Sequence, residues 1–373
     1  MFSRSHTTLP LEIQFLILDH VRSIHGQIDR RELKRLGLIC AAWSEHVRSI
    51  LFKRVEVNDN SMATRFLSLV QRNGRLGQYT TTLFIQSLDI FNSPVLHTFL
   101  PNLRAITICG CLFGRLETSA CPWPTVTRLC IKFCVLSSPA DLWDVISLFP
   151  ALDHLKFSGW MIPSEPHPAS IRAADAHLKH LSVVSWSKND ASTQAVALQL
   201  AAHNLTVDRL SLTLDGNADC DASPFNVLLQ KITALQHLDI VELPQDQTPV
   251  IGICIKSCTA LLSLTITLRF STADPVNMQL GLISLLRSIS SPVLTRLTLR
   301  VSLLAPVFQL PWEEVDTVLC TGSLDYYSSL ECVVIQVADG VDNTRFSDFA
   351  AFARARMAGV ERRRLLRFEI CAV

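Results

Sequence analysis

Leu152-Asp153-His154-Leu155-Lys156-Phe157 and Leu178-Lys179-His180-Leu181-Ser182-Val183 carry one pattern. An apolar residue opens each stretch, a second follows three positions on, and a third two positions after that. The same element recurs as Leu103/Ile106/Ile108, Val126/Leu129/Ile131, Val207/Leu210/Leu212, Leu235/Leu238/Ile240, Leu261/Leu264/Ile266 and Leu294/Leu297/Leu299. Looser copies stand at Leu330/Val333/Ile335 and Leu365/Phe368/Ile370, and an early one at Thr80/Leu83/Ile85. Alternation inside each copy reads as a short strand with one buried face. The middle residues are spaced by about 23 positions early in the chain and about 35 late, the range in which repeats build solenoids.

Between the copies lie stretches with helical spacing: 141–149, 192–202, 224–232, 278–289 and 348–358. Strand, turn and helix repeated in this order give parallel strands on a concave face and helices on a convex one. No single unit can bury its apolar side alone, so neighbours must stack. The early spacings match leucine-rich repeats, whereas the later ones overrun them, and the asparagine usual at the turn is mostly missing. The array resembles a degenerate leucine-rich-repeat solenoid. Residues 61–76 could close its front, and the strand 365–370 its back.

Composition suits such a core. Of 373 residues, 49% are hydrophobic and 18% charged, and 34 Lys and Arg oppose 33 Asp and Glu for a net charge of +1. A near-neutral chain carries no global field for nucleic acid, so no nucleic-acid partner is expected. The 12 cysteines are scattered. The close pairs Cys109/Cys111, Cys130/Cys134 and Cys254/Cys258 lack CxxC spacing, so they read as reduced small hydrophobes in the cytoplasm or nucleus. The run 9–21 is broken by Glu12 and Asp19 and reads as an amphipathic helix rather than a signal peptide. No stretch of about 20 apolar residues predicts a membrane span.

The first fifty residues differ from the rest. Pro10 suits a first helical turn. Ile13, Ile17 and Val21 then form a stripe, Asp29 is an N-cap candidate, and Leu33, Leu36 and Cys40 form a second stripe. Trp43, Val47, Ile50, Leu51 and Phe52 complete three short helices. Leu9-Pro10-x-Glu12-Ile13, then Asp29 through Leu33, Leu36, Leu38, Ile39 and Cys40 to Trp43, then Leu51-Phe52, is similar to the F-box motif. The match covers about a seventh of the chain. The resemblance implies a Skp-type adaptor and a cullin ligase as partners, with Leu9, Pro10, Ile13, Ile17, Leu36, Leu38, Cys40, Trp43 and Leu51 packing against or touching the adaptor. Ala41 departs from the Arg or Lys common in the family after the Cys. The alternative is that these helices merely cap the repeats.

The fold expected is therefore α/β: an F-box-like three-helix domain over 1–57 and a leucine-rich-repeat solenoid over 58–373. The resemblance implies the substrate-recognition subunit of an SCF-type ubiquitin ligase. The other reading is a non-ligase interaction scaffold.

Residues just before the middle anchors should point away from the core: Thr82, Ala105, Arg128, His154, His180, Arg209, His237, Ser263, Arg296, Cys332 and Arg367. Arg128, His154, His180, Arg209, His237 and Arg296 form a candidate column for an acidic or phosphorylated protein substrate. Equally, such side chains often lay their stems over a neighbouring strand and keep their heads in water. Lys132 and Lys156 add charge near the column, and Asp239 and Glu369 subtract it. Trp123, Trp160, Trp186 and Trp312 are either rim anchors or lids on the core edge. Glu313, Glu314 and Asp316 precede a helix-like run, where negative charge is favourable. No phosphate loop, GxSxG or HExxH occurs, so neither catalysis, a cofactor nor a metal is expected.

Overall fold

The computed structural model describes residues 30–86, 96–113, 122–136, 139–161, 176–184, 197–198, 200–201, 205–213, 223–232, 234–241, 253–268, 275–301, 305–321, 327–338 and 342–371. It is an α/β chain built on parallel strands, and it divides into two compact units. The first holds residues 1–109, 117–127 and 148–151, and the second holds the remainder.

In the first unit, helices α1 (Arg30–Leu36) and α2 (Ala41–Lys53) lead directly into strand β1 (Arg54–Val57). Helices α3 (Asn60–Arg72) and α4 (Gly74–Tyr79) follow, with Asp59 capping α3 by accepting from the Met62 N–H at 2.7 Å. Strands β2 (Thr82–Ile85) and β3 (Ala105–Cys109) complete a parallel ladder, Val55↔Leu83↔Ile106 and Val57↔Ile85↔Ile108. Leu83, Ile85, Ile106 and Ile108 are buried. Helix α4 comes so close to residue 99 that a Cβ on Gly77 would lie 1.9 Å from the Phe99 carbonyl oxygen. Only glycine fits that approach.

The second unit is a strictly sequential ladder. Strands β5 (Arg128–Leu136), β6 (His154–Met161), β7 (Ala176–Val184), β8 (Leu205–Thr213), β9 (His237–Val241), β10 (Ser263–Leu268), β11 (Arg296–Val301), β12 (Cys332–Ala338) and β13 (Leu366–Cys371) each pair in parallel with the next. The two-residue strand β4 (Leu112–Phe113) pairs with β5. Leu129, Leu155, Leu181, Leu210, Leu238, Leu264, Leu297 and Val333 align as one buried row. Ile131, Phe157, Val183, Leu212, Ile240, Ile266, Leu299 and Ile335 form a second. The repeat spacing thus yields adjacent strands in register.

Helices fill the intervals: 139–147, 223–231, 275–287, 312–321, 343–356 and 358–362. Of the stretch 192–202 only 197–198 and 200–201 are described, and they are helical. Where asparagine is missing, hydroxyls join successive turns. Buried Ser291 donates to the Thr259 or Leu261 carbonyl (3.0 and 2.8 Å), and Ser257 donates to Leu229 at 3.2 Å. Thr295 repeats the device on Leu262 at 3.1 Å. These side-chain bonds tie the turn of one repeat to the backbone of the repeat before it.

Two local features depart from the sequence pattern. The last strand is shifted by two residues, so that Leu366 rather than Phe368 stands beside Val333, and Phe368 pairs with Ile335. The ring of Phe368 packs edge-on to buried Phe349 at 6.3 Å, under the Arg354 guanidinium at 4.9 Å. Arg367 consequently aligns with Val334, not with Cys332. In β5, register shifts between Lys132 and Val135, and Phe133 takes a left-handed φ of 50°. Cys134 occupies the buried place that alternation assigns to residue 133, and Phe133 is half exposed.

Near the C-terminal end, Asp316 accepts from the backbone N–H groups of Gly359 (2.9 Å) and Val360 (2.7 Å) at the start of helix 358–362. Charged acceptors on backbone donors are strong, so Asp316→Ala should lower unfolding free energy by about 2 kcal/mol. Chemical denaturation of the full chain, followed by circular dichroism, measures this.

Candidate functional site

Two surfaces carry the residues singled out by the sequence. On the first unit, Leu33, Val47 and Ile50 form a small core between α1 and α2, and Leu36, Trp43 and Leu51 pack partly buried against it. The turn between the helices closes with Gly37 N–H to Leu33, Leu38 N–H to Arg35 and Ile39 N–H to Leu36. It leaves Leu38 86% and Ile39 60% exposed, with Cys40 exposed beside them. Leu9, Pro10, Ile13 and Ile17, the helix over 9–21 and Asp29 lie outside the described residues.

On the second unit, the strand face opposite the aliphatic rows gathers the proposed column. Arg128, His154, His180, Arg209, His237, Ser263, Arg296 and Cys332 align in one register row across β5–β12. Adjacent members are one strand spacing apart, about 4.8 Å at the backbone. A second row holds Cys130, Lys156, Ser182, Ser211, Asp239, Thr265, Thr298 and Val334 on the same strands.

Charge divides this face. Over β9–β12 the cations Arg296 and Arg300 already have acceptors. Arg296 Nη2 lies 3.6 Å from Glu369 Oε1, and Arg300 Nη1 lies 3.9 Å from Asp239 Oδ2. Arg300 Nε donates to Gln336 at 2.8 Å, and Gln336 donates to Glu369 at 2.9 Å. The two-residue shift of β13 makes this chain possible, because it sets Glu369 opposite Gln336. Over β5–β8 no carboxylate stands on these rows, and Arg128, Lys132, Lys156 and Arg209 make no ion pair among the described residues. The acids nearest in sequence, Asp153 just before β6 and Asp208 within β8, lie 3.0 Å from Lys179 Nζ and 3.7 Å from His177 Nε2 respectively.

The histidines sit inside this cationic half. His154 and His180 pack edge to face with centroids 6.0 Å apart, and His180 Nε2 is buried without a hydrogen-bond partner. Burial lowers the His180 pKa, and neighbouring Arg209, His154 and Lys156 lower it further. His237 is lowered by burial and by Arg209, with Asp208 opposing, and its Nδ1 lies 2.7 Å from the Ser263 hydroxyl oxygen. Asp239 is raised by burial, against the pull of Arg300 and Arg209, and its Oδ1 has no hydrogen-bond partner.

The tryptophan anchors take the inward alternative where they are described. Trp123 and Trp312 are buried, and Trp312 Nε1 donates to the Val307 carbonyl at 3.0 Å. The backbone of Trp160 continues β6, opposite Val135, and Trp186 lies outside the described residues. Arg300 and Gln336 were not singled out by the sequence. They stand two alternate places beyond the first member of their strands, a signal available only once register is fixed. Among the described residues no group of three or more His, Cys, Asp and Glu is placed to hold a metal. No described helix is long and apolar enough to cross a membrane.

Neither a protein-family model nor a curated protein matches this chain. The class defined by its fold is an α/β protein with parallel strands laid down in sequence order.

His180 should titrate below free histidine in the full chain, followed by its imidazole proton resonances. Removing a neighbouring cation with Arg209→Ser should move that titration upward. An unchanged midpoint would mean that burial alone sets it.

Proposed function

We propose that this chain is the substrate-recognition subunit of an SCF-type cullin ubiquitin ligase. The N-terminal helices dock a Skp-type adaptor, and the strand face of the second unit receives a protein client. The chain then acts by proximity, raising the concentration of client near transfer machinery held on other subunits. It performs no chemistry itself.

The observation that supports adaptor docking most directly is the turn between α1 and α2. A large aliphatic side chain left 86% exposed gains nothing from the fold, and Ile39 beside it is 60% exposed. Together they present apolar surface that a partner could remove from water. Leu38, Ile39 and Cys40 are also residues through which the F-box resemblance runs.

The second reading, a scaffold whose helices only cap the array, is favoured by a different observation. Leu36, Trp43 and Leu51 spend their apolar surface on the local core, and α2 packs on α4 and β1. Purified full-length chain and Leu38→Asp/Ile39→Asp separate the two readings. Both positions are solvent-exposed, so the variant should keep its circular dichroism and thermal midpoint. Recovery of a Skp-type adaptor should fall about tenfold or more. Equal recovery by both proteins, or none by either, would sink the ligase reading.

A further inference from the structure

Four fixed cations lie over β5–β8: Arg128 and Lys132 on β5, Lys156 on β6 and Arg209 on β8. At strand spacing, Arg128 and Arg209 start about 14 Å apart, with His154 and His180 between them. Lys156 stands about 6.6 Å along its strand from His154, and Lys132 twice that from Arg128. A field spread this widely does not converge on one small anion. It matches carboxylates distributed along an extended segment, where side chains on one side recur about every 6.6 Å.

We propose that the face over β5–β8 docks an Asp- and Glu-rich segment of a client protein, and that the segment brings a proton onto His180 as it binds. This rests on the reading that the strand face of the second unit receives the client. Charge complementarity carries the choice of occupant, and it also fixes where docking stops. Beyond Arg209, the cations Arg296 and Arg300 already face Glu369, Asp239 and Gln336, so an incoming acid would have to displace an internal partner.

The histidine link follows from its surroundings. His180 is faced on β6 by His154 and Lys156 and on β8 by Arg209, with Arg128 and Lys132 on the next strand and His237 and Asp239 beyond Arg209. Lys179 and His177 on its own strand are engaged with Asp153 and Asp208. Burial and the nearby cations disfavour the imidazolium in the free chain. A carboxylate laid over the row between Lys156 and Arg209 offsets those cations, so the charged form is favoured in the complex. Affinity must then rise as pH falls through the histidine range, where Asp and Glu remain ionised.

The test uses the full-length chain and a peptide of about twelve residues alternating Glu and Ser, with an all-Ser peptide and a single-phosphoserine peptide beside it. The Glu peptide should bind, about threefold more tightly near pH 6 than near pH 8. Calorimetry in two buffers of different ionisation enthalpy should show net proton uptake, and His180→Gln should abolish it. Lys156→Glu/Arg209→Glu should weaken binding about tenfold or more, whereas Arg296→Ser should change it less than about twofold. Binding of the phosphoserine peptide alone would overturn the carboxylate assignment. A loss with Arg296→Ser as large as with the double reversal would overturn the boundary. If the reversal removes binding but no proton is taken up, the His180 link falls and the client face stands. If the Glu peptide binds regardless of the reversal, the client reading of the face falls too.

Discussion

Parallel pairing in register is the constraint from which the second unit follows. Each strand offers two aliphatic side chains to one side, and each gains its burial only when the neighbouring strand presents its own pair at the same height. Leu155, Leu181 and Leu210 meet that condition across β6–β8. A slip by one residue would send every member of the row to water and draw Lys156 or Arg209 into the core. The opposite face inherits its order from this. Arg128 through Arg296 form a row because the leucines beside them do.

Most of the ladder could be read from the sequence for the same reason. The Leu-x-Leu pair after a third aliphatic residue fixes phase and height together, and β2–β3 in the first unit and β5–β12 in the second keep the pairing expected of those anchors. The last strand could not be read so. Leu366, Phe368 and Ile370 share one face, so two registers bury the same parity, and the contact of Phe368 with Phe349 selects between them. Strand β1 was hidden because residues 54–57 lie at the end of the stretch read as the helical domain over 1–57, whereas in space Val55 pairs with Leu83.

The candidate face was only half visible. One-per-strand placement of Arg and His follows from the repeat. Which cations are spent does not, because Arg300 reaches Asp239 across an intervening strand, and Gln336 links it to Glu369 only after the terminal shift. Counting Lys and Arg against Asp and Glu along the chain would have spread the positive field evenly. Side-chain reach concentrates it over β5–β8. The buried tryptophans show a similar limit. Trp312 is flanked by loop and acidic residues, yet its indole N–H finds a carbonyl five residues back and the ring closes onto Phe349.

Because strands β6–β12 pair, among the described residues, only with their predecessor and their successor in the chain, damage there should stay local. Loss of a hydroxyl such as that of Ser291 frees carbonyls at one junction and leaves distant junctions intact. A ladder of this kind frays from its terminal rung inward. For the second unit that rung is β13, and it carries Glu369, the acid that neutralises Arg296. Peeling away one strand would therefore uncover fresh positive charge far from where the chain had come apart.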